Sequence, residues 1–562
     1  MSSFTGSVAS PGVALGFARR TDRPRPASTG ERAGGEPARR VTEAFDAVAE
    51  RLSDLAATLR ERGRPEQADI MEVNGHIARD GDLRAAAIQR ADEGVPVADA
   101  IREAVGHYAT MIASLGDPTL AERAADVRQV GKRALAWLDG ADLSGGAGTD
   151  GPLVLIAEEI GAADLLETES PIAAALSVTG GPNSHAAIVA RSLSIPLLTG
   201  IDRALLDMAD GVELLVDGGR GTVRPHPPTP DREAALAEMA RARDRRVTYA
   251  AERDLPCQTL DGHPVVLRAN IATAEEARAA LASGADGVGL LRTELPFLEA
   301  TSWPTQALHS VELSPIMREL VGRTVTVRTL DFADDKLPPF LTAGRQGQRL
   351  GRGLPLMLAE PAAFADQFRA VLSVAPAGDG LRLMIPMVAD IAEFRACRDL
   401  LDAAATELGV PAPPLGVMIE LPEAVAAADR LAAEAAFLSI GSNDLTSQIL
   451  GLDRRDPAAT PMMTAHPRVL AAIAEVVRAA HRHGRQVSIC GDAAANATVM
   501  PLLVGLGCDV LSVSPAALDE IRYRIRRLRR DDCRNLAADA LRCDSAEQVW
   551  DLVQQSSSVL PA

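Results

Sequence analysis

Phe437-Leu438-Ser439-Ile440-Gly441 runs without a break into Ser442-Asn443-Asp444. A short apolar run of this kind reads as a buried strand, and the amide and carboxylate that follow stand just past its C-terminal end. The same pattern recurs through the second half of the chain. Val265–Asn270, Gly287–Arg292, Val325–Leu330, Leu383–Val388, Gly416–Glu420, Val487–Cys490 and Val510–Val513 are predicted strands separated by helical stretches. Eight strands over roughly 250 residues predict a (β/α)8 barrel. What stands at or just past the strand ends decides it: Asn270, Arg292-Thr293-Glu294, Arg328, Glu420, Asn443-Asp444, Cys490 and Ser514. Barrel chemistry gathers at the C-terminal face. A doubly wound sheet gives a similar strand count, but not ends that converge on one site.

Upstream the texture differs. Thr5 to Ala18 alternates small and apolar residues around Ser10-Pro11-Gly12, predicting a strand, a turn and a second strand. Ala38 to Leu143 is helical in period, punctuated by Gly75, Gly94-Val95-Pro96 and Gly116-Asp117-Pro118, which predicts a bundle of about four helices. Leu153 to Ala157, Ala173 to Val178 and Leu214 to Val216 predict the strands of a small α/β unit, and Asp231 to Arg253 a charged helical connector.

Composition bounds the function. With 47% apolar and 24% charged residues among 562, the chain is globular. A net charge of -18 disfavours a broad nucleic-acid interface. Six cysteines, none in a CxxC pair, suit a reducing compartment better than a disulfide framework. Met1 to Phe17 has no basic leader region, and no stretch of ~18 apolar residues occurs, so no membrane insertion and a cytoplasmic location are expected. Lysine stands only at Lys132 and Lys336, the other 56 of the lysines and arginines being arginine, which fits either a place where a compact ammonium does what a planar guanidinium cannot or chance.

Two constellations carry chemistry. In Thr179-Gly180-Gly181-Pro182-Asn183-Ser184-His185-Ala186-Ala187, a strand enters a Gly-Gly turn, Ser184 is placed to cap a helix, and His185 falls in its first turn. Unpaired N–H groups and the positive end of the helix dipole favour an anion there, so an imidazole at that point can carry a phosphoryl group; these residues alone fit equally well a polar helix-start histidine without chemistry. At the barrel mouth, Arg292, Arg328 and Arg352 offer guanidinium forks for phosphate and carboxylate oxygens, and Lys336 follows Arg328 by one loop. Glu420 and Asp444 end successive strands, a donor pair suited to Mg2+ with substrate completing the shell, and Asn443 adds an amide. Cys490 would point its thiol into the mouth, where a cationic setting tunes its pKa. His481 and His483, near a helix C-terminus, read as capping residues, and the remaining cysteines as core.

These residues together resemble Enzyme I of the bacterial phosphoenolpyruvate:sugar phosphotransferase system, over nearly the whole chain and in order. Ala9-Ser10-Pro11-Gly12-Val13-Ala14 is similar to that family's opening, and Glu122 to Arg133 to the end of its helical domain. Gly180 to Arg191 is similar to its phosphohistidine motif. Gly289-Leu290-Leu291-Arg292-Thr293-Glu294, Val327-Arg328-Thr329-Leu330-Asp331, Ile440-Gly441-Ser442-Asn443-Asp444-Leu445-Thr446 and Leu452-Asp453-Arg454 resemble its barrel signatures. The resemblance implies an α/β fold: a C-terminal (β/α)8 barrel, and an N-terminal swivelling phosphohistidine α/β domain with an inserted helical bundle. Residues 1–36 and 144–226 would form the phosphohistidine domain, 37–143 the helical domain that docks the carrier protein HPr, 227–255 a helical linker, and 256–562 the phosphoenolpyruvate-binding barrel and dimerisation domain. It also implies that Arg292, Arg328, Arg352 and Arg454 hold phosphoenolpyruvate with Asn443 and Lys336, that Glu420 and Asp444 carry Mg2+, and that Cys490 protonates the enolate to pyruvate. His185 would take the phosphoryl group and pass it to HPr, and the protein would be a homodimer joined through its barrel.

The neighbours of these residues depart from the family pattern. Pro182-Asn183 replaces Arg-Thr, Ala333-Asp334 replaces Gly-Gly, Ser447 and Asp492 stand in altered runs, and Pro355 replaces an arginine. Pyruvate phosphate dikinase and phosphoenolpyruvate synthase share the histidine and the barrel, but they need an ATP-binding domain for which the ~140 residues before His185 offer no phosphate-cradling loop.

Overall fold

The computed structural model describes residues 3–21, 36–61, 65–113, 118–140, 151–167, 170–181, 184–193, 195–297, 300–332, 338–342, 354–375, 380–452 and 461–556, with the backbone alone at His185. The chain divides into two compact units, Met1–Asp244 and Arg245–Ala562.

The first unit is built on an eight-stranded sheet. Its strands are β1 (Phe4–Thr5), β2 (Ser7–Ser10), β3 (Val13–Arg20), β4 (Leu153–Ala157), β5 (Ile172–Ser177), β6 (Leu197–Thr199), β7 (Glu213–Asp217) and β8 (Thr222–Pro225), in the order β1-β8-β7-β3-β4-β5-β6-β2. The centre, β3 to β6, is parallel, and the antiparallel pairings lie on either side of it. Leu-Val-Leu-Ile-Ala of β4 is buried at every position, as a strand covered on both faces must be.

Between β3 and β4 the chain forms helices Pro37–Glu61, Pro65–Ala78, Gly81–Asp92, Val97–Ala113 and Pro118–Leu138. Among the described residues that is five rather than about four. Gly75 lies inside a helix, while a break comes at Arg79-Asp80, where the Asp80 carboxylate accepts the Leu83 N–H at 2.8 Å and caps the next helix. The charged connector is helical over Thr229–Ala250. Lys132 donates its Nζ to Thr21 Oγ1 at 3.4 Å and lies 3.9 Å from Asp164.

The second unit is a closed, all-parallel barrel of β9 (Val266–Ile271), β10 (Gly287–Leu291), β11 (Thr324–Arg328), β12 (Leu381–Ile385), β13 (Leu415–Ile419), β14 (Phe437–Gly441), β15 (Gln486–Cys490) and β16 (Val510–Val513), with β16 pairing back onto β9. Each predicted strand is present. Alternation divides each strand between an outer core shared with the helices and an interior layer of Leu290, Met384, Met418, Phe437 and Cys490. Two predicted strands run two or three residues past their true ends, and Arg292 and Glu420 fall one residue beyond β10 and β13. β11 stops at Arg328 because the Leu330 N–H turns to the Gln367 side chain at 3.0 Å, and β12 stops at Ile385 because Met387 adopts a left-handed φ of 54°. Both deviations shape the site.

Candidate active site at the barrel mouth

The strand ends of the barrel enclose one cavity of about 420 Å3. Asn270, Arg292, Arg328, Glu420, Asn443, Asp444, Cys490 and Ser514 all line it, together with Glu294, Asp331 and Asp492. The convergence predicted from the strand ends is therefore realised for these residues. Lys336, Arg352 and Arg454 lie outside the described residues.

Arg328 is the hub of the mouth. Its guanidinium donates to Glu294 Oε1 at 2.7 Å and pairs with Asp331 Oδ2 at 2.6 Å, all three side chains being nearly buried. Burial opposes its charge, but Asp331 and then Glu294 outweigh that and hold its pKa above the ordinary value. Arg292 is different. Among the described residues its guanidinium has no carboxylate partner, and its buried Nε has no acceptor. A cation facing a cavity without a counter-ion is a site for an anionic ligand.

Glu420, the first residue past β13, has only 1% of its surface exposed. Its Oε1 accepts the Met387 N–H at 2.7 Å, which the left-handed turn at Met387 aims inward. Burial, reinforced by the charges of Asp331 and Asp444, pushes its pKa up to about 8 although Arg328 opposes the rise. Gly441 is needed beside it, since a Cβ there would lie 2.8 Å from Glu420 Oε2. Cys490 ends β15 with its Sγ 3.5 Å from the Ile440 carbonyl oxygen, and burial pushes the thiol up to about 12, Arg328 pulling the other way. Burial thus favours the protonated thiol.

A relay that sequence reasoning missed holds this edge of the mouth. Gln367, fully buried on helix Pro361–Val374, accepts the Leu330 N–H and donates to Thr293 Oγ1 at 2.9 Å, while Thr293 donates to the Arg328 carbonyl at 2.9 Å. The signal was present: Phe364, Gln367, Phe368 and Val371 form one apolar helix face with a single amide in it. Gln367→Leu should lower stability by about 1–3 kcal/mol by leaving the buried Leu330 N–H without an acceptor and Thr293 Oγ1 without its donor. Chemical denaturation of variant and wild type measures this, and an unchanged midpoint would remove the relay from the account.

The family models agree with this geometry. Residues 246–530 match the PEP-binding domain of PEP-utilising enzymes, 5–123 their N-terminal domain and 149–221 their mobile domain. The chain is 36% identical over 98% of its length to a multiphosphoryl transfer protein of Xanthomonas campestris pv. campestris, of which it covers 66%. A phosphoenolpyruvate-protein phosphotransferase of Priestia megaterium is 30% identical, with 98% of both chains covered, and one of Staphylococcus carnosus is 33% identical over 83% of this chain and 82% of its own. The chain belongs to the Enzyme I family. It spans 66% and 61% of two multiphosphoryl transfer proteins it matches, so those relatives carry additional sequence.

Within this Enzyme I frame, one departure from the family motif has a visible consequence. Asp492 accepts from Asn443 Nδ2 at 3.2 Å, and Asn443 Oδ1 accepts the Asp492 N–H at 3.2 Å, so the two side chains brace each other across the mouth. Gly491 between them is required at φ 97°, since a Cβ would collide with Ser442 Oγ. In the first unit, helix His185–Ser192 begins at the residue predicted to open it, and Ser184 caps it by accepting the Ala187 N–H at 3.3 Å. His483 is the C-cap residue of helix Pro467–Arg482 and its ring faces Asp429 at 3.2 Å, while His481, in the last turn, pairs with Asp509 at 3.0 Å. All six cysteines are free, and Cys397, Cys508 and Cys533 are buried core.

The mouth fits the divalent cation this Enzyme I resemblance implies. Glu420 and Asp444 are hard oxygen donors whose mutual repulsion, with Asp331 adding to it, favours a cation or a proton between them. Among the described residues no three His, Cys, Asp or Glu side chains converge as ligands, so substrate and water would complete the shell.

Proposed function

We propose that this chain takes the phosphoryl group of phosphoenolpyruvate onto His185 and passes it to a histidine of an HPr-type carrier, releasing pyruvate as the first step of sugar phosphotransfer. The observation that carries the reading is the barrel mouth: an unpaired Arg292 and the hub Arg328 face Glu420, Asp444 and a protonated Cys490 in one cavity. An enol phosphate needs all three kinds of group. Arg292 binds its oxygens in place of a protein counter-ion. Arg328, fixed by Glu294 and Asp331, presents a preorganised charge where the enolate develops. When the imidazole nitrogen bonds to phosphorus, the O–P bond breaks with its electron pair left on the enol oxygen, and the methylene carbon of the resulting enolate takes the Cys490 thiol proton to give pyruvate, the thiolate regaining a proton from water. Mg2+ held by Glu420 and Asp444 would neutralise charge on the phosphoryl and enolate oxygens.

His185 belongs to the other unit, so transfer requires it to enter the mouth and leave again, a hinge motion assigned to the 227–255 linker. We assign residues 1–36 and 144–226 to the phosphohistidine domain, 37–143 to carrier docking and 256–562 to substrate binding and dimerisation. Lys336, Arg352 and Arg454 complete the substrate site. The reading places the protein in the cytoplasm, and among the described residues no helix is long and apolar enough to cross a membrane.

Mixing the protein with phosphoenolpyruvate and Mg2+ alone should release about one pyruvate per chain and stop, because the phosphohistidine has no acceptor. Adding HPr should start steady turnover. Continuous release without carrier would identify a phosphatase instead, and no release would remove the activity. Cys490→Ala should slow pyruvate formation by roughly 10²-fold, the usual scale for a general acid, while leaving phosphoenolpyruvate affinity within a few-fold. A total loss of binding would contradict its role as proton donor.

A further inference from the structure

Beneath the mouth the barrel interior holds two arginines that the chemistry above does not use. Arg268 stands one inward step below Asn270 on β9, and Arg382 one inward step below Met384 on β12, while their strand neighbours Leu267, Ala269, Leu381 and Leu383 pack outward against the helices. Neither arginine lines the mouth cavity, whose base is formed by Leu290, Met418 and Cys490. Arg268 is 9% exposed and its Nε has no partner. The Arg382 guanidinium lies 3.7 Å from the centroid of the Phe437 ring, and its Nη1 donates to Gln486 Oε1 at 3.2 Å.

Among the described residues no carboxylate pairs with either. The acid that influences Arg268, Asp286, spends its Oδ2 on the Leu267 N–H at 2.9 Å. Burial lowers the pKa of both arginines, and the charge of Arg268 adds to the fall at Arg382, to about 10. Two like charges inside one barrel without a counter-ion are costly unless an anion joins them. The aromatic ring and the amide hold Arg382 in place but supply no negative charge.

We propose that Arg268 and Arg382 form a second anion site, under the mouth and separate from it, that takes a small oxyanion of the phosphate or carboxylate class. Planar guanidiniums read both classes through paired N–H groups. Occupancy links to folding, because the anion binds the closed barrel and not the unfolded chain.

Inorganic phosphate and acetate are the probes, and the full chain carrying Arg292→Met is the background, which weakens binding at the mouth so that a further loss on changing Arg382 or Gln486 reports the lower site. In that background, calorimetric titration should show saturable binding of one anion per chain and a rise in thermal midpoint with its concentration. Whichever probe binds names the class. Gln486→Glu adds an internal carboxylate beside Arg382 without removing volume, and should weaken binding at least tenfold, as should Arg382→Met. If neither probe binds in the Arg292→Met background, or if Gln486→Glu binds as tightly as its parent, the proposal is overturned.

Discussion

Replacing Glu420 or Asp444 with alanine should abolish phosphorylation of His185 by phosphoenolpyruvate while sparing phosphoryl return to His185 from a phosphorylated carrier. The two directions separate because they use different parts of the chain. Glu420 and Asp444 stand at the barrel mouth, whereas His185 opens a capped helix of the first unit. Loss of one carboxylate removes half of the donor pair that would hold Mg2+, and with it several kcal/mol of charge stabilisation, or ~10³-fold or more in rate. The carrier reaction needs neither carboxylate. For Glu420 there is a second consequence: alanine leaves the Met387 N–H, held in a left-handed turn, without its acceptor. Measuring both half-reactions on each variant decides it, and equal loss in both directions would show that the histidine and the metal site are not separable.

The second large effect is expected at Arg328. Arg328→Met removes the cation from between Glu294 and Asp331, leaving two nearly buried carboxylates without a partner. Breaking a buried pair in this way costs on the order of 3–5 kcal/mol, so this variant should lose both activity and stability. Arg292→Met is the contrast. Its guanidinium has no carboxylate partner among the described residues, so activity should fall with the thermal midpoint nearly unchanged. Adding Glu294→Gln and Asp331→Asn to Arg328→Met should restore much of the stability and none of the activity. Recovery of turnover in that triple variant would mean that Arg328 serves structure alone.

The barrel and its mouth were legible because strand ends are written locally: an apolar run followed by a charged residue names both the element and the position of its side chain. That covers Arg292, Arg328, Glu420, Asp444 and Cys490. Gln367 was harder, because its partners, Thr293 and Leu330, are 74 and 37 positions away. Met387 was not legible at all, since its contribution is a backbone N–H aimed by an unusual φ, which no side-chain pattern records. The extra helix between β3 and β4 depended on Asp80 acting as a cap rather than as one more charged surface residue. The brace between Asn443 and Asp492 required knowing that Gly491 folds one strand end against another. Local periodicity reveals elements. Buried polar contacts between distant elements appear only when the chain has closed.

The most direct measurement follows the phosphorus atom. Incubating the protein with Mg2+ and radiolabelled phosphoenolpyruvate, then separating it under alkaline and under acidic conditions, should yield one acid-labile, alkali-stable label per chain on the peptide that contains His185, and none in His185→Ala. Label that persists in His185→Ala, or its complete absence from the wild type, would contradict the account.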